Sequence, residues 1–167
     1  ALCLGDYSHR PNPEAAIFVA RHVWPRVRAA LPHAELWLAG PRAPTAVREL
    51  GQGEGVRYVG FVRDLSQLFG DVRLLLAPVL SGEGSRVKVI TAASYGVPVV
   101  ANALALSGLG LPAAAVRTGQ TVAELAALAI AWLQDPVAAG RAGAAARAWA
   151  EANLVPDAVV DAQLESL

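Results

Sequence analysis

Short apolar runs alternate with longer amphipathic stretches along this chain, and that alternation limits the fold more than any other feature. The runs fall at 1–5, 35–39, 57–60, 72–77 and 98–101. Each is too short for a buried helix, and each is bounded by Gly, Pro or a polar cluster, as strands are. The run at 72–77, Val-Arg-Leu-Leu-Leu-Ala, is almost unbroken, the pattern of a central strand buried on both faces. Between the runs the apolar residues recur at helical spacing. A helix is expected over 13–30, kinked or split at Pro25, which has no amide to donate. A short helix is expected over 45–50, and another begins at Asp64-x-x-Gln67, a capping-box pattern. Thr121-x-x-Glu124 opens a longer one with Val122, Leu125, Leu128, Ala129, Trp132 and Leu133 on one face, ended by Asp135-Pro136. Helices over 138–153 and 156–167, and an edge strand near 113–116, complete the reading.

Strand and helix in turn predict an α/β domain, a Rossmann-like parallel sheet with helices on both faces. Such sheets bind ligands beyond the carboxyl ends of their strands. The loops on that rim are 6–12, 40–43, 61–64, 79–85 and 102–111. With 167 residues, the chain reads as one domain with a real core.

Composition removes several classes. Lys+Arg and Asp+Glu both number 14, so no overall basic field steers nucleic acid to this chain. Cys3 is the only cysteine; it forms no internal disulfide and is expected as a small core residue. His9, His22 and His33 are scattered, which leaves no plausible zinc set. No apolar run reaches the ~18 residues of a membrane span. The residues 1–5 read as a strand and not as a signal peptide. Since the chain starts with Ala1, a longer parent protein is expected, and the single cysteine points to a reducing, cytoplasmic setting.

The stretch 82–102 carries the chemistry. It reads as a loop, a helix, a Gly stop and a short strand. Arg86 and Lys88 stand in the first turn of the helix, where the dipole is positive and each cation is disfavoured by about 0.3–1 kcal/mol. Gly82 and Gly84 let the backbone turn and a ligand approach its amides, and Ser85 adds another amide. Glycines, amides and two cations together suggest a phosphate site; the alternative is a solvated helix end. Other phosphate and nucleophile motifs are missing. No Gly-Lys-Ser/Thr makes a P-loop, and no Gly-x-Gly-x-x-Gly follows the first strand. No Asp-x-Asp is present to hold a metal-bound diphosphate, and Ser81, Ser85 and Ser107 lack a nucleophile elbow.

From 78 to 102 the chain resembles the donor-binding segment of the group 1 (family four) retaining glycosyltransferases, whose fold is GT-B. Glu83 matches the first of that family's two glutamates, and Gly96-Val97-Pro98-Val99-Val100 matches its strand. Gly82, Gly84, Arg86 and Lys88 reproduce the Gly-x-Gly-x-Arg-x-Lys form of its loop. Arg10-Pro11-Asn12, Trp24-Pro25-Arg26, Leu31-Pro32 and Gly60-Phe61-Val62 extend the likeness over most of the chain. The second glutamate is replaced by Thr91.

The resemblance implies that residues 1–167 are the C-terminal, nucleotide-sugar-binding half of a metal-independent transferase needing no other cofactor. The donor would be a nucleotide diphosphate sugar, and the acceptor a glycan, lipid or small molecule held against an N-terminal domain. That missing domain could also bring the protein to a membrane surface. Arg86, Lys88 and the amides near Gly84 and Ser85 would hold the diphosphate, Glu83 the sugar, and Thr91 the ribose. Phe61 and Val62 would present backbone to the base, with Phe61 in the core as the alternative. Arg10, Arg42 and His9 are further rim residues that could assist. On this reading the isolated domain transfers nothing. The competing reading, prompted by Thr91, is a catalytically silent binding or interaction domain.

Overall fold

Leu2, Leu36, Leu75 and Val99 have no exposed surface, and each sits in a different strand of one sheet. A computed structural model describes residues 1–81 and 86–154. Its strands are β1 (Leu2–Leu4), β2 (Leu36–Ala39), β3 (Val56–Gly60), β4 (Leu75–Leu76), β5 (Val99–Ala101) and β6 (Val116–Thr118). All neighbours run parallel, in the order β3-β2-β1-β4-β5-β6. The order in which successive strands are added reverses between β1 and β4, which opens a crevice above their carboxyl ends.

Successive strand residues point to opposite faces, and the core divides accordingly. Cys3, Leu36, Leu38, Leu74, Leu76 and Val100 enter one cluster. There they meet α1 (Pro11–Phe18), α2 (Trp24–Ala30), α3 (Thr45–Leu50) and α7 (Val122–Gln134). Leu2, Ala39, Leu75, Ala77, Val99 and Ala101 enter the other, against α4 (Leu65–Gly70), α5 (Val87–Ser94) and α6 (Ala103–Leu106). Helices on both faces are what the alternating sequence predicts. The last described helix, α8 (Pro136–Asn153), packs on α5. That contact is made at backbone distance: a Cβ on Gly143 would lie 2.0 Å from the Gly96 carbonyl oxygen.

Three elements differ from expectation. The helix expected over 13–30 begins at Pro11 and is interrupted by a π-helical stretch, Val19–Val23, immediately before Trp24-Pro25. Pro25 has no N–H to continue the ladder, and the wider turn absorbs the break. The strand expected over 72–77 is only Leu75–Leu76; Arg73, just before it, is exposed and donates to the Leu133 carbonyl at 2.9 Å. Its flanks still pair, through Leu2 N–H to Leu74 O and Ala77 N–H to Val100 O. The edge strand lies at Val116–Thr118 instead of 113–116. Pairing with β5 fixes that register, Val99 opposite Val116.

Both capping boxes sit at helix starts. Asp64 accepts from the amides of Ser66 and Gln67, and Thr121 with Glu124 makes the full reciprocal box. The helix expected over 156–167 lies outside the described residues.

Candidate functional site

The first turn of α1 and the start of α5 meet in the crevice between β1 and β4. Gly5 ends β1 at a point where a Cβ would lie 2.7 Å from the Asn12 side chain. Glycine therefore leaves room for Asn12, which is 5% exposed, to fold back over the strand end. Its Nδ2 donates to the Asp6 carbonyl at 2.8 Å. Its Oδ1 accepts from Lys88 Nζ at 2.6 Å. Lys88 is only 7% exposed, and no ion pair among the described residues includes it. Burial holds its pKa below the ordinary 10.5. The solvated-end alternative therefore fails for this cation.

Arg86 occupies the N-cap of α5 and is exposed. Its guanidinium lies across the loop after β5, where a Cβ on Gly108 would stand 3.4 Å from Nη1. The first turn of α5 contains no acidic residue, so its positive end is not discharged from within. Thr91, one turn beyond Lys88, is 2% exposed and gives its hydroxyl proton to the Val87 carbonyl at 2.8 Å.

The rim loops are tied together in pairs. Ser81 Oγ donates to Glu14 at 2.5 Å, and Arg10 donates to the same carboxylate at 2.7 Å. Those two bonds, Ser81 first, lower the Glu14 pKa. Asn102 caps α6 and also holds Val79, accepting from its N–H at 3.1 Å and donating to its carbonyl at 2.7 Å. Arg42, in left-handed backbone at φ 57°, makes an ion pair with Asp6 and donates to Ser8. The Arg42 hydrogen bond is the main cause of the lowered Asp6 pKa. Arg10 and Arg42, which the sequence offered as rim residues that could assist, are each held in an ion pair on the rim.

Phe61 follows β3 and is 50% exposed, so it does not belong to the core. Val62 packs at the margin of the cluster beneath it. Because β3 is an edge strand, this loop stands three strand spacings from β4, about 14 Å. Phe61 and Val62 thus lie apart from Arg86 and Lys88 but on the same rim. Gly82, Glu83, Gly84 and Ser85 lie outside the described residues. Cys3 is a core residue as expected; burial pushes its thiol up to about 12, and Sγ donates to the Leu76 carbonyl.

Sequence reasoning quoted Asn12 without giving it a role and missed Asn102, Glu14 and Asp6 as organisers of the rim. The available signal was an amide flanked by small apolar residues, Ala101-Asn102-Ala103, at a strand end.

The model of the glycosyl transferases group 1 family matches residues 1–135. The chain belongs to that family. No curated protein matches it. WaaG, a glycosyltransferase involved in lipopolysaccharide biosynthesis, superimposes with TM-score 0.71 at 18% identity over 96% of this chain. A TarM mutant from S. aureus, in complex with fondaparinux, alpha-GlcNAc-glycerol and UDP, gives 0.73 at 14% over 98%. HepE from Anabaena, in complex with UDP and glucose, gives 0.65 at 18% over 87%. The chain spans 45%, 34% and 44% of those three chains respectively. Its fold is that of the C-terminal half of a GT-B glycosyltransferase, as the resemblance implied.

For this group 1 domain, the buried lysine has a measurable pH signature. Lys88 has a lower pKa folded than unfolded, so the unfolded chain binds the proton more tightly. The penalty for burying the ammonium is complete below the lowered folded value and is relieved as pH rises from there to 10.5. Wild-type stability relative to Lys88→Met is therefore expected to rise with pH across that window. Urea unfolding of both proteins at about pH 7 and about pH 10 measures it. A constant difference would mean that the lysine is hydrated in the fold.

Proposed function

We propose that this chain is the donor half of a retaining hexosyltransferase that takes a nucleotide diphosphate sugar and passes the sugar to an acceptor. The observation that carries the reading is Lys88, a nearly buried cation at the sheet's switch point with a neutral amide as its hydrogen-bond partner. A buried charge is costly unless it is paired, and an anion from outside would pair this one. Arg86, at the same helix start, adds a second positive charge.

As the sugar's bond to the donor breaks, negative charge grows on the leaving diphosphate. Lys88, Arg86 and the α5 dipole are already oriented when that happens, so they lower the barrier without reorganising. Glu83 accepts hydrogen bonds from donor-sugar hydroxyls in this reading, and the backbone at Phe61 and Val62 meets the base. The UDP held by the TarM mutant and by HepE supports a nucleotide ligand for the same fold. The acceptor sits against a second domain, so residues 1–167 alone bind donor weakly and transfer nothing. Bringing two substrates into contact supplies much of a transferase's rate.

Titration of nucleotide sugars against the intact protein, with analysis of products, is the direct test. Glu83→Gln is expected to cut transfer by about 100-fold or more while changing affinity for the bare nucleoside diphosphate by less than about threefold. Equal losses in both would leave Glu83 a loop carboxylate. The second reading, a silent binding domain, rests on Thr91, whose hydroxyl proton is committed to Val87. Donor binding without any transferred sugar would favour it.

A further inference from the structure

The contact between Asn12 and Lys88 joins residues 76 positions apart, and among the described residues it is the one hydrogen bond that ammonium makes. An ammonium carries three donors and a full charge. A carboxylate at position 12 would have nearly the same size and would neutralise it. Asn12 holds it without doing so. The amide is itself fixed, with Nδ2 on the Asp6 carbonyl and its side chain packed against Gly5, where a Cβ would come within 2.7 Å. The surrounding carboxylates are engaged elsewhere: Asp6 with Arg42 and Ser8, Glu14 with Arg10 and Ser81.

We propose that Asn12 is a positioning residue: it holds the Lys88 ammonium in place with a neutral amide, so that the lysine's full charge is kept for the donor diphosphate. This rests on the assignment of Lys88 to the phosphate site. It gives the amide a purpose that a carboxylate of equal reach could not serve. A carboxylate would compete with the diphosphate for the same proton donors and repel it, whereas an apolar residue would leave the lysine unanchored. Gly5 belongs to the same device, since any side chain there would displace Asn12.

Charge and pH together separate positioning from mere packing. Among the described residues, Cys3 acts electrostatically on Lys88, and Asp6, Tyr7 and Glu14 stand on the segment that carries Asn12. The Cys3 thiol is raised to about 12 and Tyr7 well above its ordinary value, while Asp6 and Glu14 are both lowered, so none of them titrates between neutral pH and pH 10. Burial lowers the Lys88 pKa, so wild-type affinity for the diphosphate falls on the alkaline side as the ammonium deprotonates. Asn12→Asp would raise that pKa through its charge and move the fall to higher pH. Asn12→Ala would remove the bond and move it to lower pH. The two variants shift the profile in opposite directions.

The experiment is calorimetric titration of UDP, ADP and GDP into the intact protein, its Asn12→Asp, Asn12→Ala and Lys88→Met variants, from pH 7 to pH 10. Comparison between variants cancels the titration of the bases themselves. At neutral pH Asn12→Asp is expected to weaken binding by about 10- to 100-fold. Asn12→Asp also turns an oxygen toward the Asp6 carbonyl, so thermal melts accompany it, and Asn12→Ala carries the test by itself if Asn12→Asp does not fold. Overlapping pH profiles for wild type and Asn12→Ala overturn the role of Asn12, as does wild-type affinity in a folded Asn12→Asp. Wild-type affinity in Lys88→Met overturns the phosphate assignment instead, so the two failures are distinguishable.

Discussion

Replacing Arg86 and Lys88 together with alanine is expected to weaken nucleoside diphosphate binding by about 100- to 1,000-fold, with no loss of thermal stability beyond a few degrees. Each cation is set against the dipole of α5, and neither has a carboxylate partner among the described residues. Charge-assisted hydrogen bonds contribute about 1.5–3 kcal/mol apiece, and with the exposed Arg86 at the low end the two together give about 3–4 kcal/mol, the expected range. The fold should tolerate the change because the double variant removes a buried charge. Its cost is the Asn12 Oδ1 left without its donor, about 1–3 kcal/mol, offset by relief of the ammonium's desolvation. Calorimetry on the intact protein reads the affinity, and a melt of the same sample reads the stability. Unchanged affinity with an intact fold would remove the phosphate site from this helix start.

Gly40→Ala is expected to destabilise the domain by about 3 kcal/mol or more. Gly40 follows β2 with φ 144°, a conformation L side chains rarely adopt, and a Cβ there would stand 1.9 Å from the Gly5 carbonyl oxygen. Neither backbone can yield easily. Gly5 N–H donates to Ala39 O, and Gly40 N–H donates to Gly60 O at 2.8 Å, so the ends of three strands are locked together. Gly140→Ala is the control: nothing lies within 4 Å of a Cβ there, and the residue is inside α8. It should stabilise by up to about 1 kcal/mol. Chemical unfolding of both variants measures the contrast, and a Gly40→Ala midpoint equal to wild type would refute the close approach.

The sheet was readable because strand formation depends on local pattern. Leu36–Ala39, Val56–Gly60 and Val99–Ala101 each fall within one residue of the runs that announced them. The caps at Asp64 and Thr121 were readable for the same reason, since a capping box spans four residues. Strand order was beyond reach, because the adjacency of β1 and β4 depends on pairing Leu2 with Leu75. The shift of the edge strand to Val116–Thr118 had the same origin: the more apolar run at 113–116 dominates the local pattern, while register with β5 decides the outcome. At the site, the loop glycines and cations were visible as a motif, but the burial of Lys88 was not. A lysine two residues into a helix is ordinarily hydrated, and only a partner on a distant turn shows otherwise.

The side-chain ties across the rim bear on how the loops of such a domain could be exchanged. Asn102 belongs to the loop after β5 yet fixes Val79 in the loop after β4. Glu14 anchors Ser81, and Asp6 anchors Arg42, each across a strand boundary. A loop transplanted by itself from a relative would arrive without its counterpart and leave an amide or a carboxylate stranded at the crevice. Exchange is expected to succeed in matched pairs, the 79–80 segment with the Asn102 turn or the Asp6 turn with the Arg42 turn. In such a domain the unit of inheritance for specificity is the coupled pair of loops.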